Sequence, residues 1–148
     1  MKIINATRQN CADIAKIEKA CFAVPWSEDE LAESLEFNTS LFLATDDNGA
    51  ALGYCGVQIT PDGGYITNVA VLPQFRRNGV AAALLHNLFE FANESCFEFL
   101  SLEVRKSNTA AIKLYEKAGF VPVGSRKNFY SEPREDAIIM TKYFKTVG

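Results

Sequence analysis

The stretch from Val69 to Ala82 carries the most informative chemistry of the sequence. An apolar strand pattern runs into a basic turn, and a helix pattern that begins with small residues follows. The backbone N–H groups at a helix start have no partner within the helix and lie at the positive end of its dipole. Gly79 and Ala81 carry almost no side chain, so an anion can approach this backbone closely. The segment therefore predicts a pyrophosphate-binding turn, with Arg76 and Arg77 adding positive charge beside it.

Two known phosphate motifs do not fit this turn. No Gly-Lys-Ser/Thr follows, as a P-loop requires, and the three-glycine pattern of a dinucleotide fingerprint is absent. On spacing alone, an ordinary strand-to-helix connection with surface arginines stays open. The other glycine cluster, Gly49, Gly53 and Gly56, is interpreted as hairpin and strand glycines.

Glu103 and Tyr115 are the residues whose types suit proton transfer. In the strand pattern Phe99–Val104, apolar residues alternate with Ser101 and Glu103. A solvated carboxylate on an open sheet face is the ordinary interpretation of Glu103. However, the strand Phe99–Val104 is expected near the centre of the sheet, and a carboxylate in that position favours a functional role. For Tyr115, helical spacing alone favours packing against the core.

Two segments resemble the GNAT family of N-acetyltransferases. Arg76-Arg77-Asn78-Gly79-Val80-Ala81 matches that family's Gln/Arg-x-x-Gly-x-Gly/Ala pattern, with the permitted alanine at position 81. Downstream, Ser107–Phe120 is similar to its N-x-x-A-x-x-L-Y-x-x-x-G-F segment. Pro25-Trp26-Ser27, Leu102–Arg105 and Tyr130–Ala137 further resemble the subfamily of ribosomal-protein-alanine N-acetyltransferases.

The resemblance implies acetyl-CoA as co-substrate, no metal, and a binding gap where the strands Tyr65–Leu72 and Phe99–Val104 splay apart. Strand backbone groups of Val69, Ala70 and Val71 would hold the pantetheine arm. The turn and helix start would hold the pyrophosphate through Arg76, Arg77, Asn78, Gly79, Val80, Ala81 and Ala82. Asn108 would bond the pantetheine near the thiol; as a helix N-cap it has an equally ordinary structural role.

By the same resemblance, Glu103 is the general base, acting directly or through water, and Tyr115 protonates the leaving thiolate. The implied reaction is direct attack of a protein N-terminal α-amine on the thioester. The implied acceptor is an alanine-initiated protein of the small ribosomal subunit. Two alternatives stay open: a GNAT enzyme for a small amine such as a polyamine, amino acid or antibiotic, and an acyl-CoA-binding module without turnover.

The elements that must position these residues follow the order β-α-α-β-β-β-α-β-α-β-β. Strands on both sides of a long central helix, about Gly79–Glu94, predict an α/β fold with a mixed sheet flanked by helices. The Asn48-Gly49 pair predicts a hairpin turn, and Ser27 with Glu30 predicts a helix capping box. No linker-like stretch divides the 148 residues, so one domain spanning 1–148 is expected.

Composition excludes several classes of function. A formal charge of −3 gives no basic footprint for nucleic acid, and four scattered cysteines with one histidine, His86, make a zinc site improbable. No signal-peptide pattern or membrane-length apolar run is present, and a cytoplasmic enzyme is expected. Arg105 is expected to be a solvated charge, and Trp26 and Tyr130 either wall a peptide groove or cover the core.

Overall fold

Seven strands form one mixed sheet in the computed structural model, which describes residues 1–144. The strands are β1 (Lys2–Asn5), β2 (Thr39–Thr45), β3 (Ala51–Ile59), β4 (Gly63–Val71), β5 (Phe99–Arg105), β6 (Val121–Ser131) and β7 (Arg134–Tyr143). The helices are α1 (Cys11–Cys21), α2 (Glu28–Ser34), α3 (Val80–Glu94) and α4 (Thr109–Lys117). This order confirms the predicted succession of elements and the predicted α/β class. The prediction of one domain over 1–148 includes residues 145–148, which lie outside the described residues.

The sheet opens between β4 and β5. Its strand order is β1-β2-β3-β4-β5-β7-β6, and only the β4–β5 pair is parallel among the described strands. These two strands pair only from Gly63 opposite Phe99 to Tyr65 opposite Ser101. Beyond Tyr65 they diverge, and on its other side β4 shifts register with β3 near Thr67, a local irregularity that bends a strand. The remaining backbone of β4 therefore borders a gap.

The two faces of the sheet are covered unequally. On one face, α3 and α4 pack against the buried apolar side of β5, in a cluster that includes Leu84, Leu88 and Leu102. On the other face, α1 and α2 pack against β2, β3 and β4, through Ile14 and Leu31 among others. The second cluster contains no residue of β5 or β7 among those the structure describes. The part of that face formed by β5 and β7 is therefore not packed against α1 and α2, and a site can lie there.

Local chemistry sets the turns and helix ends as predicted. The Ser27 side chain accepts a hydrogen bond from the Glu30 N–H (3.1 Å), and Glu30 accepts one from the Ser27 N–H (3.2 Å), which makes the capping box of α2. Asp46 accepts from the N–H groups of Asn48 and Ala50 in the β2–β3 turn. Gly49 in that turn has φ +83°, a conformation that favours glycine.

Candidate active site

Two cavities meet at the gap between β4 and β5. One, of about 560 Å³, lies against the start of α3 and is called here the α3 cavity. The other, of about 530 Å³, lies between the α1–α2 segment and the β6–β7 hairpin and is called the hairpin cavity. The residues that line both are Cys21, Phe22, Val69, Asn108, Ala111 and Tyr115. Molecules bound in the two cavities can therefore meet at this shared wall.

The α3 cavity ends on a run of free backbone donors. Arg77 (φ 66°) and Gly79 (φ 77°) are both left-handed, and Gly79 is the N-cap of α3. The first amide of the helix to find a backbone acceptor is that of Ala83, which donates to the Gly79 carbonyl (3.0 Å). Within residues 1–144, the N–H groups of 77–82 donate to no protein acceptor. A Cβ placed on Gly79 would meet nothing within 4 Å, so this end of the cavity fits a pyrophosphate.

The predicted cofactor residues lie around this cavity, with one exception. Its lining includes Val69, Ala70, Val71, Arg76, Arg77, Gly79, Val80, Ala81, Ala82 and Asn108. Asn78 does not line it, because its side-chain nitrogen donates to the Phe75 carbonyl (3.3 Å). The Val71 carbonyl already accepts from Arg76 Nε (3.1 Å) and the Cys21 thiol (3.4 Å). The ligand roles of all these residues stay predictions.

Asn108 has the structural role that its residue type indicates. Its side-chain oxygen accepts a hydrogen bond from the Ala111 N–H (3.1 Å) and caps α4. The same residue lies on the shared wall of the two cavities. The cap holds the side chain at that wall, where its amide nitrogen can also meet a ligand.

Glu103 is a buried carboxylate of the hairpin cavity. Its side chain is only 7 % exposed, which excludes the interpretation of a solvated glutamate. One carboxylate oxygen accepts from Arg126 Nε (2.9 Å), and the other accepts a short hydrogen bond from the Tyr65 hydroxyl. Burial, and then the Glu103 carboxylate, raise the pKa of Tyr65, so its hydroxyl keeps the proton that it donates.

Tyr115 belongs both to the hydrophobic core and to the candidate site. Its ring packs edge-on against Phe120 with centroids 5.6 Å apart, and its side chain is buried. It also lies on the shared wall of the two cavities. Burial is the main cause that raises the pKa of the Tyr115 hydroxyl, so the group is protonated at neutral pH and can donate.

Arg105 is not the solvated charge that the sequence suggested. Its guanidinium donates to the backbone carbonyls of Pro133 (2.8 Å) and Glu132 (3.0 Å), bonds Glu135 (3.3 Å), and lies 4.3 Å from the centre of the Tyr130 ring. Hydrogen bonds from Ser107 and Arg105 lower the pKa of Glu135. Arg105 therefore links the β6–β7 hairpin to the end of β5. Tyr130 of that hairpin lines the hairpin cavity.

Trp26 and His86 differ in their positions relative to the two cavities. Trp26 packs against the α1–α2 core and also lines the hairpin cavity; its role as the wall of a peptide groove stays a prediction. His86 lies on the exposed side of α3, where its ring nitrogen is 3.1 Å from Glu90. It lines neither cavity.

Sequence reasoning missed Glu18, Tyr65 and Arg126. The sequence does contain a signal for Glu18. It follows Ile14 by four residues and precedes Cys21 by three, a helical spacing that places it on the buried face of α1. Tyr65 and Arg126 had none, since their contact with Glu103 depends on strands β4 and β6 coming near β5 in the sheet. Cys21 packs against the α1–α2 core and also lies on the shared cavity wall.

Within residues 1–144, no group of three His, Cys, Asp or Glu side chains is arranged to hold a metal ion. Among the same residues, no helix has the length and apolar character needed to cross a membrane.

A sheet that opens beside a helix start with free amides, next to a buried carboxylate and tyrosine, is the arrangement expected from the resemblance to acyl-CoA-dependent acyltransferases. Residues 11–120 match the model of the acetyltransferase (GNAT) family. The chain therefore belongs to the GNAT family, whose enzymes take their acetyl group from acetyl-CoA.

Relatives of known name agree with this assignment. The chain is 39 % identical over 126 residues to the [ribosomal protein bS18]-alanine N-acetyltransferase of Escherichia coli (strain K12), covering 84 % of each chain. It is 37 % identical over 137 residues to a Bacillus subtilis (strain 168) protein, covering 92 % of this chain and 91 % of that one. The crystal structure of the ribosomal-protein-S18-alanine N-acetyltransferase from Escherichia coli superposes with a TM-score of 0.91 at 33 % identity, over 99 % of this chain and 96 % of that one. The chain is an acetyl-CoA-dependent N-acetyltransferase.

Proposed function

We propose that this enzyme acetylates the N-terminal α-amine of a ribosomal protein whose first residue is alanine. The observation that carries the proposal is the shared wall at Val69, Asn108 and Tyr115, where the α3 cavity meets the hairpin cavity. The Escherichia coli relative is named for alanine acetylation of ribosomal protein bS18, and the likeness to it supports the same acceptor class here.

The α3 cavity is the proposed site of acetyl-CoA. Its free amides at residues 77–82 would hold the pyrophosphate, and the unpaired edge of β4 beyond Tyr65 would hold the pantetheine arm as an added strand. This placement brings the thioester to the shared wall. Bound there, the co-substrate supplies the acetyl group.

The hairpin cavity is the proposed site of the acceptor. An α-ammonium has a pKa near 8, so most of the acceptor arrives protonated and cannot attack. Glu103 takes one proton from it, directly or through a water molecule, since each carboxylate oxygen accepts one hydrogen bond and keeps a second lone pair. The neutral amine then forms the new C–N bond with the acetyl carbon.

Charge and protons balance at the shared wall. A backbone N–H of Val69–Val71 stabilises the oxyanion that develops on the acetyl oxygen. As the C–S bond breaks, Tyr115 gives its proton to the thiolate. Glu103 passes the proton that it took to solvent, and the nitrogen loses its second proton to solvent. Tyr115 regains one proton from solvent, so each turnover releases one proton net.

A protein N-terminus suits the hairpin cavity better than a lysine side chain does. An extended peptide backbone can bond to strand edges and loops, and the β6–β7 hairpin offers both. A lysine amine loses more rotamer freedom on binding, and its pKa near 10.4 makes the neutral form scarcer at pH 7. A small first side chain lets the α-amine reach the shared wall.

A thiol-release assay with acetyl-CoA tests the proposal. The panel contains an alanine-initiated peptide, its tryptophan-initiated counterpart, an Nα-blocked lysine peptide, free amino acids and spermidine. We expect the alanine peptide to have the highest kcat/KM, with mass spectrometry placing the acetyl group on the α-nitrogen. If the blocked lysine peptide or spermidine is the best substrate, the proposed acceptor is wrong while the family assignment stands.

A further inference from the structure

Glu18 places a buried carboxylate at the wall of the hairpin cavity. The residue is 1 % exposed and comes from the inner face of α1. It accepts hydrogen bonds from the Tyr54 hydroxyl (2.7 Å), the Asn68 side-chain nitrogen (2.8 Å) and the Trp26 N–H (2.9 Å). It thus connects the α1–α2 segment to β3 and β4 beside the gap.

All three donors to Glu18 are neutral. Burial and the neighbouring carboxylate raise the pKa of Tyr54, so the phenol keeps its proton and brings no charge of its own. Within residues 1–144, no lysine, arginine or histidine nitrogen lies within 4.0 Å of the Glu18 oxygens. Buried charges in proteins are ordinarily paired, and this carboxylate has no protein partner of opposite sign among the described residues.

The other charges of the hairpin cavity are offset. Arg126 pairs with Glu103, and Glu135 pairs with Arg105. Glu132 is exposed on the hairpin, where water screens its charge. Glu18 is therefore the buried, unbalanced charge among the described residues that line this cavity.

We propose that Glu18 is the fixed counter-charge that selects the ammonium form of the acceptor amine in the hairpin cavity. The inference rests on the proposed function only in taking this cavity as the acceptor site. An amine that enters as a cation completes the pairing that Glu18 lacks, and Glu103 then removes its proton. A neutral acceptor of the same shape leaves the carboxylate unpaired and binds less well.

Binding to the enzyme–CoA complex tests this without turnover. The probes are an alanine-initiated peptide and its lactoyl analogue, which carries a hydroxyl group in place of the ammonium, both measured by calorimetry at pH 7. We expect the wild type to prefer the ammonium peptide by roughly 10- to 100-fold, the range for hydrogen bonds to charged groups. In Glu18→Gln, which keeps the shape, the preference should fall to about threefold or less.

Three further variants separate charge from structure. Glu33→Gln removes an exposed carboxylate of α2 and should keep the full preference. Tyr54→Phe removes one donor to Glu18 without changing its charge, and should also keep the preference. Glu132→Gln removes an exposed carboxylate of the β6–β7 hairpin, whose charge water screens, and should keep most of it.

The outcomes are distinct. An unchanged preference in Glu18→Gln, or equal weakening of both peptides, overturns the proposal in favour of a structural role for Glu18. A wild type that does not discriminate between the two peptides also overturns it, even if the Gln variant fails to fold. If the amine panel shows that the acceptor is a small amine, the proposed function fails alone, and the same comparison is made with that amine and its hydroxyl analogue.

Discussion

Glu103 and Tyr115 differ in their surroundings, and the difference fits two opposite tasks. Glu103 accepts a hydrogen bond on each carboxylate oxygen, from Arg126 and from Tyr65, which hold it in place at the hairpin cavity. Tyr115 is buried against Phe120, and its raised pKa keeps it in the proton-donating form. A group that accepts and a group that donates thus both line the acceptor cavity, and Tyr115 also faces the other cavity.

Glu103→Gln is expected to lower kcat by about 10²–10⁴, the usual contribution of general acid–base catalysis. The amide cannot take the proton, so the residual rate should rise with pH as more of the acceptor becomes neutral. Steady-state kinetics from pH 6 to 9, with acetyl-CoA affinity measured separately, checks this. Glu33→Gln is the matched control on exposed α2. Normal turnover of Glu103→Gln at neutral pH would place the base elsewhere.

Tyr115→Phe removes one hydroxyl and little volume, so the packing on Phe120 should persist. We expect kcat to fall without a comparable change in acetyl-CoA affinity, because the hydroxyl is needed only when the C–S bond breaks. The control is Tyr143→Phe, whose ring is 66 % exposed on β7. Full activity in Tyr115→Phe would leave this residue with the core-packing role alone.

Residue types in the sequence identified the candidate acid and base but not the groups that hold them. Glu103 and Tyr115 lie in family motifs, so the resemblance found both. Tyr65 and Arg126 reach Glu103 from β4 and from β6, two strands away across β7. Those neighbours follow from strand pairing at long sequence separation, which no local pattern encodes.

At the scale of elements, the turn before α3 should act as an anion-binding unit that stabilises the fold when filled. Acetyl-CoA at about 100 times its Kd should add roughly 2.7 kcal/mol to the free energy of unfolding. For a chain of this size that corresponds to a Tm increase of roughly 5–10 °C. Gly79→Asp places a carboxylate among the free amides and should abolish the increase.

Gly49→Asp is the matched control for this experiment. Gly49 also has a positive φ, +83° against +77° at Gly79, and nothing lies within 4 Å of its added Cβ. The two variants therefore share the backbone strain and the added charge, and differ only in distance from the cavity. Thermal melts with and without acetyl-CoA make the comparison. Equal loss of the ligand effect in both variants, or no effect in the wild type, contradicts the assigned turn.

The order of elements was predictable because each has a local signal, such as the Ser27 capping box and the Asp46–Gly49 turn. The strand boundaries were less predictable: β4 begins at Gly63 rather than Tyr65, since Gly63 pairs with Phe99 of β5. The opening between β4 and β5 has no local signal of its own. It was expected from family resemblance, and it arises because only three residue pairs join the two strands.

At the scale of the whole molecule, the sheet gap makes two cavities with one shared wall. A donor in the α3 cavity and an acceptor in the hairpin cavity can be bound together, since each cavity has its own remaining walls. A route through an acetylated enzyme would instead need a nucleophile at the shared wall. Cys21 is the candidate, with its thiol bonded to the Val71 carbonyl (3.4 Å) and approached by Arg76 (3.7 Å).

We expect direct transfer, with both substrates bound before chemistry, rather than an acetyl-cysteine. Cys21 lacks the histidine that would activate it, because the single histidine, His86, lies on the exposed side of α3. Initial velocities measured against acetyl-CoA at several acceptor concentrations should give intersecting double-reciprocal lines. Cys21→Ser should retain most of the wild-type kcat, and enzyme incubated with acetyl-CoA alone should gain no acetyl mass after denaturation. Parallel lines together with an acetylated Cys21 peptide would establish the covalent route instead. In that case the two cavities would be filled in turn, and the shared wall would serve to pass the acetyl group from one to the other.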